Sequence, residues 1–185
     1  MTTTNNEVNF FSCAENDYKF FHQDVKNGRV ANYLAAMAQN IAERYLKHVI
    51  DQEYHPTSGA EEYDKQQNLR AHNLNKLVRC VNDHTSLQLS EDQINEINKA
   101  NGYYFSTRYP GDEYQYVRKE DIEKCSEAVE ACRNAVMDHF HMQTQNIEEN
   151  KEISVDDMIA DARHKAAEIN TQQSSQTQKH DSIIH

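Results

Sequence analysis

Glycine and proline are scarce in this sequence, with 4 glycines and 2 prolines among 185 residues. β-Sandwiches and β-barrels need many tight turns, and these two residues supply a large share of them. Apolar residues instead recur at steps of three and four, which is the spacing of one helix face. The chain is therefore expected to be mostly helical.

Four apolar series and one capping pattern place the predicted helices. The first series ends near Gly28, where glycine suits a left-handed cap, and the second ends before Pro56. Ser90 and Gln93 form a capping-box pattern that begins a short helix, which stops at Gly102. The last series includes Cys125 and Cys132 as predicted buried residues, since a free cysteine behaves as a small hydrophobe. The four series cover residues 10–25, 34–49, 74–81 (after a polar stretch) and 122–140.

The composition changes near residue 143. Hydrophobic residues make up 37% of the chain, below the usual ~45–50% of a globular domain. Residues 170–178 are nine uncharged polar side chains in a row, which cannot bury a core. We therefore expect a domain over residues 1–142 and a polar appendage over 143–185 with one short helix at about 154–169.

Charge and cysteine content exclude several classes of protein. With 19 basic and 30 acidic side chains the net charge is −11, so a general phosphate-tracking nucleic-acid binder is excluded, although a local basic groove is not. No apolar run approaches the ~20 residues that span a bilayer, and no secretory leader is recognisable. The four cysteines lack C-x-x-C spacing, and the dispersed histidines form no metal-ligand pattern. A cytoplasmic protein without cofactor or metal is expected.

Three segments, taken in order, resemble the HEPN family (higher eukaryotes and prokaryotes nucleotide-binding domain). The resemblance covers roughly residues 10–142, and the order and spacing of the segments match. The segments are Asp17-Tyr18 with Asp24 and then Ala38 to Lys47; His72-Asn-Leu-Asn-Lys-Leu77; and Tyr104-Phe-Ser-Thr-Arg-Tyr-Pro-Gly111, which the Glu120 helix follows.

The resemblance implies an all-α antiparallel bundle of four to five helices, commonly a homodimer, that binds nucleotides or RNA. Many members are paired with a small nucleotidyltransferase, and some are ribonuclease toxins of toxin–antitoxin systems. Those toxins carry an Arg followed by a His four to six residues later. Arg108 occupies the Arg position here, but Tyr114 stands where the His would be. A phenol has an unperturbed pKa of about 10 and is a poor proton shuttle, so this departure favours a catalytically degenerate protein.

A second match to the toxin pattern lies inside the last predicted helix. Arg133 is followed by Asn134 and, six residues on, by His139. Six residues rotate about 120° around a helix, which does not bring the two side chains to one face. The pair is an alternative catalytic candidate, and the competing interpretation is two rim residues that flank the buried Cys132.

The tyrosine-rich loop supplies the main ligand-binding candidates. Arg108 is expected to anchor a phosphate, because it is a fixed-charge fork donor next to Pro110 in an aromatic loop. Stacking on bases would fall to the surrounding rings, or these rings are core and dimer-interface aromatics instead. We expect Tyr104 and Phe105 to be packed and the later tyrosines to be more exposed. The stacking candidates are Tyr109, Tyr114 and Tyr116.

Glu43 and His72 complete the candidate site, each with two open interpretations. Glu43 either orients Arg108 through a bidentate pair or makes a surface i,i+4 contact with Lys47. His72 either belongs to a phosphate-facing basic stripe with Lys76 and Arg79 or bonds backbone at the entry to its helix.

The sequence supports three functional hypotheses. The first is a nucleotide- or RNA-binding HEPN-like protein that has lost catalysis and works with a partner such as a nucleotidyltransferase. The second is a metal-independent endoribonuclease toxin, and the third is a protein-interaction module without nucleotide binding.

Overall fold

The described part of this computed structural model comprises residues 8–107 and 114–141, and it is entirely helix, turn and loop. The all-α prediction is confirmed. The chain divides into two units, residues 1–139 and 140–185, and the helical bundle belongs to the first. The helices are α1 (Phe10–Lys26), α2 (Asn32–Glu53), α3 (Gly59–Leu69), α4 (Leu74–His84), α5 (Glu91–Asn98), α6 (Tyr103–Ser106) and α7 (residues 119–141).

Helix α2 is the centre of the bundle. Helices α1, α3, α4 and α6 all pack against it, and most of its length is buried. Three contacts show that α1 runs antiparallel to α2, because the residue number rises on one helix as it falls on the other. These contacts join Asp24 to Tyr33, Asp17 to Arg44, and Phe11 to His48. The side chains that α2 presents to its neighbours therefore decide what can be positioned inside the fold.

Local capping confirms several predicted helix ends. Ser90 and Gln93 form the predicted reciprocal capping box at the start of α5. Gly28 and Gly102 follow α1 and α5 with φ angles of 70° and 98°, in the left-handed region where a Cβ is disfavoured. Short-range sequence chemistry thus fixes where α5 begins and where α1 and α5 end.

Helix α3 was missed by the sequence analysis because its apolar face is too weak to show a period. Ser58 caps its first turn, and Glu61 accepts hydrogen bonds from the backbone and hydroxyl of Thr57. Lys65 then donates from Nζ to the carbonyl oxygens of Asp51 and Tyr54 at the end of α2. A polar helix is stable here because it satisfies carbonyls that α2 leaves open.

Cys125 and Cys132 are fully buried, as predicted, and all four cysteines are free thiols. Burial raises the pKa of the Cys125 thiol to about 12, so this side chain is unreactive. Within the described ranges, no helix is both long and apolar enough to cross a membrane. The predicted appendage and its helix at 154–169 lie outside the described residues, and the boundary at 142 stays a prediction.

Candidate functional site

A stripe of buried polar side chains runs along α2. Gln39, Glu43 and Lys47 follow one another at steps of four, on one helix face, and all three are buried. Gln39 Nε2 donates to Glu43 Oε1 at 3.0 Å, and Lys47 Nζ donates to Glu43 Oε2 at 3.3 Å. Burying a carboxylate is unfavourable unless it is paired and hydrogen-bonded, and Glu43 meets both conditions.

His72 completes this arrangement from the α3–α4 connection. Its Nδ1 donates to Glu43 Oε2 at 3.0 Å, and its backbone carbonyl accepts from Gln39 Nε2 at 2.7 Å. Residue His72 is held at both its ring and its backbone. Its side chain is nevertheless 40% exposed, whereas that of Glu43 is 3% exposed. A buried carboxylate that fixes one ring nitrogen leaves the other edge of the ring for chemistry at the surface.

The contacts of Glu43 and His72 differ from those that the sequence predicts. Glu43 does contact Lys47, but as part of a buried pair and not as a surface contact. Its other ionisable partner is His72, a contact that the sequence analysis did not consider. The stripe neighbours of His72, Lys76 and Arg79, are exposed on α4.

An aromatic side chain covers the imidazole of His72. The rings of His72 and Tyr104 are stacked, 4.4 Å apart and 3° from parallel, and Phe105 meets Tyr104 edge-on at 4.9 Å. Gln39 Oε1 accepts from the Tyr104 backbone N–H at 2.8 Å, which fixes α6 to α2. Phe105 is 54% exposed, so the expectation that it is packed is wrong. Helix α6 is a single turn of four residues. We call Gln39, Glu43, Lys47, His72 and Tyr104 the His72 cluster.

The two ends of the tyrosine-rich loop are tied together. Gln115 N donates to Ser106 O at 2.9 Å, and the Asn32 side chain bonds the hydroxyl of Tyr114 and the backbone at Gln115 and Val117. The segment that leaves α6 therefore returns to the first residue of α2.

Two of the four predicted ligand-binding residues on that loop are described. Tyr114 is half-buried, with its ring edge-on to that of Tyr116 at 5.2 Å, and Tyr116 is 82% exposed. Arg108 and Tyr109 lie outside the described residues.

The two members of the alternative catalytic pair both lie on α7, but they contact different helices. Arg133 donates from Nε and a terminal NH₂ group to the two carboxylate oxygens of Glu15, at 2.8 and 3.1 Å, and lies 4.7 Å from the centre of the Tyr18 ring. Tyr45 also donates to Glu15, at 2.6 Å. His139 instead contacts Glu53 at the end of α2, where Nε2 and Oε1 are 2.6 Å apart. Each member of the pair thus has a carboxylate partner of its own. We call Glu15, Tyr18, Tyr45 and Arg133 the Arg133 cluster.

The ionisation of the Arg133 cluster follows from these contacts. Burial by itself raises the pKa of Glu15, but hydrogen bonds from Arg133 and Tyr45 outweigh it and leave the pKa lowered. Burial and the hydrogen bond to Glu130 raise the pKa of Tyr18 to about 12. The cluster is therefore a closed ion pair with neutral phenols around it.

Two open cavities border α2. Neither adds a metal site, because the described residues contain no group of three His, Cys, Asp or Glu side chains suited to a metal ion. The larger cavity, of about 710 Å³, lies at the start of α1, and its lining includes Cys13, Arg44 and Gln52. The smaller, of about 290 Å³, lies between α1 and α2 and reaches Thr107 at the end of α6.

Sequence analysis missed Gln39 and Asn32 as site-forming residues, and it considered Lys47 only as a surface partner of Glu43. A polar series at steps of four inside an otherwise apolar helix was the available clue to Gln39 and Lys47. Asn32 offered none, because its role depends on a segment more than eighty residues away.

No curated protein and no solved structure matches the chain. Residues 62–139 do match a family model, described as HEPN domain. The matched stretch begins within α3 and ends near the end of α7, and it contains His72 and Tyr104 but not Glu43. The fold around it is the all-helical bundle that the resemblance implies. Residues 62–139 are therefore similar to the HEPN domain, which in general indicates a nucleotide- or RNA-related function.

Proposed function

We propose that this protein binds a nucleotide or an RNA end beside the His72 cluster, without catalysing its cleavage. The observation that carries the proposal is the Glu43–His72 contact, a half-exposed imidazole fixed by a buried carboxylate. Such a ring is already oriented before a ligand arrives, so little conformational freedom is lost on binding. Arg108 is the proposed phosphate anchor, with Tyr109, Tyr114 and Tyr116 as further ligand contacts.

The charge around His72 supports a phosphate ligand despite the acidic chain. Lys47 is paired with Glu43, so the buried carboxylate is compensated where it lies. A phosphate that approaches the exposed edge of His72 does not meet an isolated negative charge. Lys76 and Arg79, the exposed basic residues of the predicted stripe on α4, add positive charge to this part of the chain.

Two observations favour loss of catalysis over nuclease activity. Tyr114 stands where the toxins have a His, and its hydroxyl accepts a hydrogen bond from Asn32 at 2.9 Å, which gives it a structural role. Arg133 and His139 are each engaged by a separate carboxylate. Neither pair offers a free His next to a free Arg of the kind that phosphodiester cleavage uses.

We further propose that the protein works as a homodimer and with a partner such as a nucleotidyltransferase. Tyr116 supports the proposed partner protein. The residue is 82% exposed, so its hydroxyl is accessible to another protein. Sedimentation that shows a 21.5 kDa monomer at micromolar concentration contradicts the homodimer. If the proteins that co-purify with this chain have no nucleotidyltransferase activity, the choice of a nucleotidyltransferase as partner is wrong.

Calorimetry with AMP, ATP and a short single-stranded RNA tests the binding proposal. We expect Arg108→Ala and His72→Ala to bind at least about tenfold more weakly than wild type, because each loses a charge-assisted or oriented contact. Lys124→Ala on the exposed face of α7 is the control that also removes one basic side chain, and it should bind as wild type. Equal binding by all four proteins, or no binding by wild type, refutes the proposal.

An endoribonuclease remains the second candidate, and one contact favours it. A His oriented by a carboxylate is the usual form of a general base, and Glu43 and His72 have that geometry. Incubation of the protein with total RNA, without added metal, decides between them. Cleavage that His72→Ala and Arg108→Ala both abolish assigns the protein to the nucleases.

A further inference from the structure

The smaller cavity reaches Thr107 at the end of α6, and none of the described residues that line it belongs to the His72 cluster. It holds about 290 Å³, close to the lower limit of ~300 Å³ for small-molecule sites. That volume suits one ring system and not a whole dinucleotide. Its lining is Asp17, Tyr33, Ala36, Met37, Asn40 and Thr107.

Tyr33 gives this cavity a fixed aromatic wall. Its ring is 51% exposed, yet the hydroxyl donates to Asp24 at 2.7 Å, and Arg29 holds the same carboxylate at 2.8 Å. Because the hydroxyl of this exposed ring is held by a hydrogen bond, the side chain loses little further conformational entropy when a ligand stacks on it. Such rings are the usual stacking platforms for bases.

Asn40 supplies an amide that no residue in the described ranges bonds. The side chain is half-buried and lines the cavity, about one turn from Met37 and two turns from Tyr33 on the same face of α2. An amide offers a donor and an acceptor side by side, the pattern that pairs with the amino group and ring nitrogen of adenine. An amide without a partner in a cavity is most stable when a ligand completes its hydrogen bonds.

The charge of the cavity favours a neutral ligand edge. Asp17 is the acidic group in the lining, and it is paired with Arg44. A free phosphate gains little from a carboxylate wall, whereas an exocyclic amino group can donate to it.

We propose that this cavity is a nucleobase site, with adenine as its preferred base. The face of the base stacks on Tyr33, and its amino edge bonds the amide of Asn40. The inference rests on the proposed nucleotide or RNA binding and specifies which part of the ligand is read. Thr107 lines the cavity, and the proposed phosphate anchor, Arg108, is the next residue in the sequence.

Calorimetry with AMP, UMP and ribose 5-phosphate tests the base site. We expect Tyr33→Ala and Asn40→Ala to bind AMP about tenfold more weakly and Asn40→Ala to lose the preference for AMP over UMP. Tyr33→Phe, which keeps the ring, should stay within about threefold of wild type. Ribose 5-phosphate should bind all of these proteins alike. Tyr63→Ala on α3 is the control, since Tyr63 is also a largely exposed tyrosine.

The outcomes separate this inference from the proposal on which it rests. If Arg108→Ala and His72→Ala weaken AMP binding while Tyr33→Ala and Asn40→Ala do not, the base site is wrong and the proposed function stands. Equal loss of ribose 5-phosphate binding in the Tyr33 and Asn40 variants also overturns the base site. Absence of AMP and RNA binding by wild type removes both. Melting temperatures near that of wild type establish that the variants are folded.

Discussion

The His72 cluster and the Arg133 cluster lie on different sides of α2, and each centres on a glutamate paired with a basic side chain. In the Arg133 cluster the guanidinium meets both oxygens of Glu15 and lies over the Tyr18 ring. In the His72 cluster the imidazole uses one ring nitrogen, and a large part of the ring faces solvent. Arg133 therefore uses its guanidinium donors inside the fold, whereas His72 keeps one edge of its ring available to a ligand.

This difference separates a structural pair from a binding site. A bidentate Arg–carboxylate pair with a cation–π contact fixes two helices to each other. The contact between a half-exposed His and a buried carboxylate mainly sets the orientation of the imidazole ring. The motif Arg133 to His139 resembles the toxin pattern more closely than anything around His72, yet its contacts are the more structural. Spacing in sequence is therefore a poorer guide here than the number of donors left unused.

The largest expected effect is on Glu43. Glu43→Ala leaves the ammonium group of Lys47 buried without its carboxylate, and we expect a loss of about 3–5 kcal/mol in the free energy of unfolding. Nucleotide binding should fall as well, because His72 loses its orientation. Urea unfolding and calorimetry measure the two quantities.

A double variant distinguishes the two consequences. Glu43→Ala with Lys47→Met removes both buried charges, and much of the lost stability should return. Binding should remain weak, since His72 still lacks its partner. Recovery of binding together with stability would place the Glu43 effect in folding alone.

The next effect is on Glu15. Glu15→Ala removes both partners of the Arg133 fork and the acceptor of the buried Tyr45 hydroxyl, for which we expect a loss of about 2–3 kcal/mol. Nucleotide binding per folded molecule should be unchanged, in contrast to Glu43. The stability of Arg133→Lys should lie between those of wild type and Glu15→Ala, since lysine cannot form the two parallel hydrogen bonds of a guanidinium. Weakened binding in either variant would make this cluster part of the site.

A smaller effect on stability is expected at His72. His72→Ala loses one hydrogen bond to Glu43 and the stacking on Tyr104, together about 1 kcal/mol at a half-exposed position. The same variant should weaken nucleotide binding about tenfold or more. A stability loss as large as that of Glu15→Ala, with unaltered binding, would show that the two clusters do not differ in kind.

The helices were predictable where one face is continuously apolar. Helices α1, α2, α4 and α7 follow from such series, and α5 from its capping box. Helix α3 was not predictable, since Lys65 stabilises it through carbonyls that are exposed only because α2 ends at Glu53. Local propensity alone does not contain that information.

The candidate site was predictable in part. Glu43 and His72 were chosen correctly as interesting residues, but their contact with each other joins positions 29 residues apart on separate elements. Arg133 was chosen as half of a motif, and its true partner Glu15 is 118 residues away. Pairings across the bundle depend on which helix faces meet, and a periodicity of three and four does not determine that.

The smallest predicted effect is on acid stability, and it belongs to the Arg133 cluster. The folded-state pKa of Glu15 is lowered, so its contribution to stability is present above the unfolded value near 4.5 and is lost as the pH falls through the folded value. Between about pH 5 and pH 3 the free energy of unfolding of wild type should therefore drop more steeply than that of Glu15→Gln. Parallel curves from urea unfolding at several pH values would contradict the assignment.

The hydrogen bond from Gln115 N to Ser106 O has a consequence for how this site can change over evolution. This contact and those of Asn32 join the two ends of the intervening segment. The entropic cost of closing a segment grows slowly with its length, and a doubling adds only about 0.6 kcal/mol. Loop closure therefore places little limit on the length that the segment between Thr107 and Tyr114 can reach.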